Sequence, residues 1–569
     1  MNWNILPEGD KDLVSKLRKE VYDNEIIAKL LVQREIKDYD EAKAFFRPDI
    51  SKLHDPFLMK DMSEAVSRIE KAIANGEKIL VYGDYDVDGT TAVAMMYSFL
   101  KTHYPNVDAY VPDRYSEGYG VSIKGIDYAG ENDCSLIIAL DCGIKANDKV
   151  DYASVKNIDF IICDHHTPGD EIPKAVAVLD PKRKDDEYPF DELSGCGVGF
   201  KLIQAFSSKN NIPFSELDQY LDLVAVSIGA DIVPITGENR ILAHHGLIRL
   251  NTYPRAGFKA IMELYNNQEF SITDVVFKIA PRINAAGRMK HGKYAIRLMI
   301  QPDLEQARIQ SQKINEYNLD RKETDKNITI EALAQIEENN EQERFSTVVY
   351  SEGWHKGVIG IVASRLIETY YRPTVVFTKS GDKLAASVRS VKGFNVYEAL
   401  MKCSEFIEQF GGHKYAAGLT ILESDYDNFK RKFEEVVKET IPESSLQPEI
   451  NISSEITLDV IDTKFYKILK QFAPFGPGNM HPVFVSRGLT DNGFGKTVGE
   501  DKTHLKLNIV HAADDRTFNS IGFGLGDKLD LTKNKGQFDA VYVIEENNWQ
   551  GMVSLQLSLR DLKATEANS

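Results

Sequence analysis

The chain has 569 residues, 27% of them charged and 43% hydrophobic, with a mean hydropathy of −0.31. That length predicts three or four domains with ample core, and 20 Pro with 38 Gly exclude the collagenous and low-complexity classes. A net charge of −18 argues against a protein that coats nucleic acid non-specifically, because such affinity rests on Lys and Arg. It leaves room for a local basic channel or a metal-neutralised site.

No apolar run approaches the ~20 residues that cross a bilayer, so no membrane association is expected. The start, Met1-Asn2-Trp3-Asn4 followed by acidic residues, has neither the basic nor the apolar part of a secretion leader. Cys134, Cys142, Cys163, Cys196 and Cys403 are an odd, scattered set without a CxxC pair. They suit a reducing cytoplasm and give no ground for structural zinc or a disulfide framework.

Residues 1–55 read as a helical segment without recognisable chemistry. From about 56 to 245, within a first domain taken as 56–301, strands alternate with helices. Lys78–Gly83, Val107–Val111, Ser135–Leu140, Ile158–Cys163 and Ala175–Leu179 are strand candidates, and Thr91–Leu100 and Val198–Phe206 are helical. That alternation predicts parallel βαβ units. Residues 303–343 contain neither Pro nor Gly and carry sparse apolar points at Ile309, Ile314, Leu333 and Ile336. As one helix in a linker of 302–345 they would span roughly 60 Å at ~1.5 Å per residue; two shorter surface helices are the alternative. A second α/β segment covers 346–442. After the polar stretch Pro442–Pro448, residues 449–565 read as short strands with turns, the pattern of a small β-barrel.

Three strand candidates end in acids. Lys78–Gly83 runs into Asp84-Tyr85-Asp86-Val87-Asp88-Gly89, Ser135–Leu140 into Asp141, and Ile158–Cys163 into Asp164-His165-His166. Ligand sites of open parallel sheets lie beyond the carboxyl ends of their strands, so these side chains are expected to converge. Asp84, Asp86 and Asp88 would repel one another unless a cation neutralises them. Carboxylates mixed with imidazole suit Mn²⁺ or Mg²⁺. Two such cations ~3.5–4 Å apart activate water and clamp both oxygens of a phosphoryl displacement. The first cluster also matches half of an EF-hand loop, but the twelfth position is Met95 and a strand precedes it, so that reading fails. Gly195-x-Gly197-x-Gly199 follows a loop instead of a first strand and is read as packing glycine; Gly476-x-Gly478 lacks a following Lys-Ser/Thr. Neither supports a nucleotide cofactor.

DYDVDG at Asp84–Gly89 with DHH at Asp164–His166 resembles the DHH phosphoesterase superfamily. Further segments narrow the resemblance to its RecJ family of bacterial single-stranded-DNA-specific exonucleases. They are RYSEGYG (Arg114–Gly120), LSGCGVGFK (Leu193–Lys201), DIVPITGENR (Asp231–Arg240), PRINAAGR (Pro281–Arg288), WHKGVIGIVASRL (Trp354–Leu366), Ser387-Val388-Arg389, Gly411-Gly412-His413 and PFGPGN (Pro474–Asn479). The resemblance covers about residues 50–565.

It implies an α/β fold: a parallel-sheet DHH domain and a smaller α/β DHHA1-type domain joined by a long helix, with a C-terminal OB-like β-barrel. It implies a metal site of Asp84, Asp86, Asp88, Asp141, His165 and Asp231 for two divalent cations, with His166 beside the phosphate or the second cation. It also implies a pocket of Arg114, Ser387 and Arg389 for a 5′-terminal phosphate. Arg288 would lie near the scissile phosphate, supported by Arg282 and Asn284, and Gly411, Gly412 and His413 would line the accessory substrate face. Trp549 is a candidate base platform in the barrel. The implied activity is two-metal 5′→3′ hydrolysis of single-stranded DNA to 5′-mononucleotides in recombination and repair, by a monomer partnered with single-strand-binding protein and a RecQ-type helicase. Small DHH phosphoesterases acting on short oligonucleotides or cyclic dinucleotides, and a non-catalytic DNA-binding scaffold, are the rival readings.

Overall fold

A strand buried on both faces needs an unbroken apolar run, and KILVYG supplies one. In a computed structural model that describes residues 1–266, 269–511, 514–549 and 552–565, it forms β1 (Lys78–Gly83), buried throughout after Lys78. The side chains of Asp514, Asp515, Asn534, Lys535 and Trp549 lie outside that description. With β2 (Val107–Tyr110), β3 (Cys134–Leu140), β4 (Asp159–Cys163) and β5 (Ala177–Leu179), β1 builds an all-parallel sheet of order β2-β1-β3-β4-β5. The register pairs Gly83 with Leu140, Leu140 with Cys163 and Cys163 with Leu179. The carboxyl ends of four strands therefore stand in one row, and the next residue on each is an aspartate: Asp84, Asp141, Asp164 and Asp180.

Three residues separate the end of β1 from the helix Val87–His103, and the helices Gly195–Lys209 and Leu221–Asp231 pack on it. Farther on, β6 (Thr347–Tyr350), β7 (Thr374–Ser380), β8 (Lys383–Arg389), β9 (Gln409–His413) and β10 (Ala416–Leu422) form a mixed sheet of order β9-β10-β8-β7-β6. Its core includes Phe377, Phe429 and Phe433, and β9 is an edge. Residues 303–343 resolve into one helix, Leu304–Glu338, capped by Asp303 and about 52 Å long at ~1.5 Å per residue. These elements lie in a compact unit of His54–Val233 and His245–Pro448.

The other unit joins Met1–Leu53, Pro234–His244 and the residues from Glu449 onward. Five of its strands close on themselves in the order Phe484–Asp491, Phe538–Trp549, Met552–Ala564, Asp514–Gly522, His504–His511, the last pairing back with the first. The N-terminal helices do not stand alone. Leu17, Ile27 and Leu31 share a core with Phe465, Phe484 and Tyr542 of the barrel segment, and Asn2–Ile5 pairs in parallel with Glu449–Ile452. Arg240 ties the short middle segment in, donating to the carbonyls of Phe45, Phe472, Ala473 and Pro474. Among the described residues no helix is long and apolar enough to cross a membrane.

Candidate metal centre and phosphate pocket

The strand-end row brings the predicted acids together. Asp84, Asp88, Asp141, Asp164 and His165 are buried, Asp86 half-buried, and Asp231 the most exposed of the set. His165 Nε2 lies 3.2 Å from Asp141 Oδ1, 3.6 Å from Asp231 Oδ2 and 3.7 Å from Asp88 Oδ2. Both ring nitrogens of His165, Asp84 Oδ2 and Asp141 Oδ2 are buried without a hydrogen-bond partner. Asp141 (φ 59°) and Ile232 (φ 61°), the residue after Asp231, take left-handed backbone, a strain that persists where surroundings demand it.

Burial, then the neighbouring carboxylates, pushes Asp84, Asp86, Asp141 and Asp231 above the usual carboxylate range. Clustered acids with orphaned oxygens, around an imidazole that has no hydrogen-bond partner, are a donor set that divalent cations satisfy. Asp141, His165 and His166 form one group close enough to share an ion; Asp88, His165 and Asp231 form another.

The three clustered acids are held differently. Asp86 caps the helix Val87–His103 through Gly89 N (3.0 Å). Asp84 Oδ1 accepts from Gly120 N (3.2 Å), leaving Oδ2 open. Asp88 accepts from Gly195 N (2.7 Å), Cys196 N (2.8 Å) and Ser227 Oγ (2.6 Å), so both its oxygens anchor the start of the helix Gly195–Lys209. Two glycines make this approach possible. A Cβ on Gly195 would sit 2.6 Å from Asp141 Cβ, and one on Gly89 2.5 Å from the Asp84 carbonyl oxygen. Gly195 thus does more than pack: it stands between two site carboxylates.

Asp164 lies outside the ligand set that the motifs imply. It accepts from Ile144 N (2.9 Å), His165 N (2.8 Å) and His166 Nδ1 (2.7 Å). Burial opposes its charge, yet the bond and charge of His166 and the Ile144 N–H hold it down at about 2. Against its own burial, His166 is pushed up to about 9 by Asp164. The Nδ1 contact leaves His166 Nε2 facing Tyr119 Oη at 3.2 Å. Asp180, the fourth strand-end acid, also escapes a reading of the sequence. It is fully buried with Oδ2 unpartnered, and burial pushes it up to about 7 against the bond from Lys182 N.

In the same unit, arginines gather around the start of the helix Ile359–Thr369. Arg288 Nη1 donates to Gly357 O (2.8 Å), and Tyr115 Oη donates to Arg288 O. Arg114 lies 4.1 Å over the Tyr85 ring. Arg389 donates to Ser387 Oγ (3.1 Å) and Val388 O (2.8 Å). A Cβ on Gly360 would meet Ser387 Oγ at 2.8 Å and Arg389 Nη2 at 3.0 Å, so the first turn of the helix abuts both, and no side chain caps that turn. Uncapped N–H groups beside guanidinium forks suit a phosphate. Burial, then Arg114, Arg389 and Arg321, lowers Arg288 to about 10. Glu117 braces the RYSEGYG loop, accepting from Tyr110 Oη (2.9 Å), Ser122 Oγ (2.6 Å) and Asp113 N (2.8 Å).

Asn284, one helical turn before Arg288, shares its face, with Oδ1 buried and unpartnered. Arg282 is six residues before Arg288, about 240° round the helix, and donates to Lys278 O (2.8 Å) and Tyr265 Oη. Gly411, Gly412 and His413 lie on edge strand β9. Gly412 has φ 143°, and a Cβ there would sit 2.4 Å from Ala416 O. Trp549 ends a barrel strand, and its side chain lies outside the described residues.

A parallel sheet with carboxylates and imidazole at its strand ends, in one unit with arginines gathered at an uncapped helix start, defines a metal-dependent phosphoesterase of the DHH class. The DHH family N-terminal domain matches residues 78–228, the DHHA1 domain 344–439 and the RecJ OB domain 452–561. The single-stranded-DNA-specific exonuclease RecJ of Bacillus subtilis (strain 168) is 34% identical over all of this chain and 71% of its own length; that of Escherichia coli (strain K12) is 30% identical over 89% and 90%. The crystal structure of RecJ from Thermus thermophilus in complex with Mn²⁺ is similar with a TM-score of 0.85 and 25% identity, over 100% of this chain and 80% of that one. The chain belongs to the RecJ family.

Proposed function

We propose that this protein is a single-stranded-DNA-specific exonuclease that uses two divalent cations, Mn²⁺ or Mg²⁺, to release 5′-mononucleotides in the 5′→3′ direction. The observation that carries the reading is the strand-end row around His165, with buried acceptor atoms left open. Asp84, Asp86, Asp88, Asp141, His165 and Asp231 would hold the cations, with Asp88 also anchoring the helix start beside them. When bound, such cations supply acidity to water and neutralise charge on the phosphoryl oxygens.

The chain's own residues do the rest. Asp164 keeps the His166 Nδ1 proton, so His166 Nε2 is available to the phosphate side. Arg288, aided by Asn284, binds the phosphoryl group, and its guanidinium favours the added charge of the transition state. Arg114, Ser387 and Arg389 bind the terminal phosphate, which supports attack one nucleotide inside the 5′ end. Gly411, Gly412 and His413 admit the strand backbone, and Arg282 braces the helix that carries Arg288. We assign residues 56–301 to catalysis, 302–345 to the connecting helix, 346–442 to substrate binding, 449–565 to nucleic-acid binding, and 1–55 to support of the barrel.

The strand must be freed from duplex before it is cut, which supports partnership with an unwinding RecQ-type helicase and single-strand-binding protein in recombination and repair. Five buried, free thiols support a reducing, cytoplasmic setting. The test is time-resolved digestion of a 3′-labelled single strand bearing a 5′-phosphate, with Mn²⁺ and with chelator. Progressive shortening from the 5′ end with Mn²⁺, absent with chelator and on blunt duplex, is expected. Intact DNA with every divalent metal tried would overturn the reading.

A further inference from the structure

The last carbonyls of a helix have no partner inside it. Arg288 is the penultimate residue of the helix Ala280–Met289, and its carbonyl oxygen is taken from outside, by the Tyr115 hydroxyl. The same residue is held again at its tip, where Nη1 donates to Gly357 O (2.8 Å). Among the described residues nothing else bonds the guanidinium, so its Nε–Nη2 edge, the fork that fits a phosphate, stays open.

Both holds come from loops that are themselves fixed. Asp113 Oδ1 accepts from Tyr115 N (3.1 Å) and Ser116 N (2.8 Å). On the other side Trp354 Nε1 donates to Glu331 Oε2 (2.8 Å) of the connecting helix, and Gly357 N donates to His355 Nδ1 (3.2 Å). The His355 ring then meets the Tyr115 ring edge to face, with centroids 6.0 Å apart. No room is left between them. A Cβ on Gly357 would collide with Tyr115 Oη and lie 2.9 Å from Arg288 O and 3.0 Å from His355 Cε1. Tyr115 follows β2 and Gly357 follows β6, so Arg288 is gripped by one loop from each sheet of the unit.

We propose that Tyr115 is a positioning residue of this enzyme. With Gly357 it straps Arg288 at main chain and guanidinium, so the open edge is already aimed when the scissile phosphate arrives. This rests on the exonuclease reading above. Arg114, the neighbour of Tyr115, keeps its own place over the Tyr85 ring. Loosening the strap therefore slows the chemical step and leaves capture of the strand alone. A contact that merely joined the two loops would change stability and act alike with or without Arg288.

The experiment measures kcat and KM on a 5′-phosphorylated single strand in Mn²⁺, strand affinity with chelator, and melting temperature. It compares the unaltered protein with its Y115F, G357A, R288K and Y115F/R288K variants. Y115F should lower kcat about tenfold, the scale of one hydrogen bond. KM and the affinity with chelator should stay within about twofold, as expected when the lost interaction belongs to the transition state. In the R288K background, where the fork is absent, the same change should cost less than about twofold, because residues that act through one another are not additive. G357A presses on the strap from the other loop; it should lower kcat in the same way and decides the matter if Y115F does not fold. Unchanged kcat in either folded variant, an effect confined to KM, or an equal loss with Arg288 and with R288K overturns the proposal. No single-strand digestion by the unaltered protein would instead overturn the exonuclease reading, and the proposal with it.

Discussion

Asp164 and Asp84 are both buried strand-end carboxylates, yet one is filled with donors and the other has an open oxygen. On the proposed reading, that difference separates orienting a ligand from being one. Asp164→Asn should keep the fold but slow turnover by roughly 10–100-fold, the usual effect of losing the partner that orients a metal-site histidine; wild-type turnover in a folded variant would refute the role. In the metal-free protein the Asp164–His166 pair stabilises fully from about pH 4 to pH 6.5. Its His166 share fades as pH climbs through about 9, and its Asp164 share is lost as pH falls toward about 2. Asp84, Asp141 and Asp231 act with the opposite sign. Their raised values mean that stability is lost as pH rises and they ionise beside one another. Adding Mn²⁺ should therefore raise the melting temperature more at pH 8 than at pH 5.5, and Asp141→Ala should blunt the gain. An equal gain at both pH values would count against the assignment.

At the scale of elements, the sheet and its site are legible in the sequence because they obey short-range rules. Apolar runs give β1, β3 and β4, and each ends in an acid that the parallel register aligns. The strand β5 is legible too, but Asp180 is not, because one aspartate after a three-residue strand carries no pattern of its own. The connecting helix is legible as a helix and illegible as a wall. Its Ser311, Asn318, Arg321 and Asp325 count as surface in any composition, and only the packed neighbours show that they are inside. A shared motif groups Arg282 with Arg288, although a six-residue spacing on a helix turns them to different sides. Gly195 reads as a packing residue because a sequence does not reveal which backbone approaches which side chain. Gly195→Ala would force a Cβ to within 2.6 Å of Asp141. Displacing that carboxylate by even about 1 Å should slow turnover about 100-fold, with Mn²⁺-dependent stabilisation reduced. Full activity in the purified variant would show that the approach is dispensable.

On the whole molecule, a net charge of −18 coexists with an arginine pocket. General acidity disfavours loose adsorption of nucleic acid, so binding depends on the few cations that converge. With three guanidiniums at the pocket and about 0.7 counterions released per phosphate neutralised, log affinity for a short single strand should fall with log salt at a slope of about −2. A flat dependence would mean that the pocket does not bind phosphate. The unit built from Met1–Leu53, Pro234–His244 and the residues from Glu449 onward has a consequence in time. On the ribosome, the helices of residues 11–46 emerge about 400 residues ahead of the barrel strands they share a core with. At ~5–20 residues per second that is roughly 20–80 s. Throughout that interval their apolar faces have no native partner, so the nascent chain should engage holding chaperones early, while the sheet that carries the aspartates is still being made.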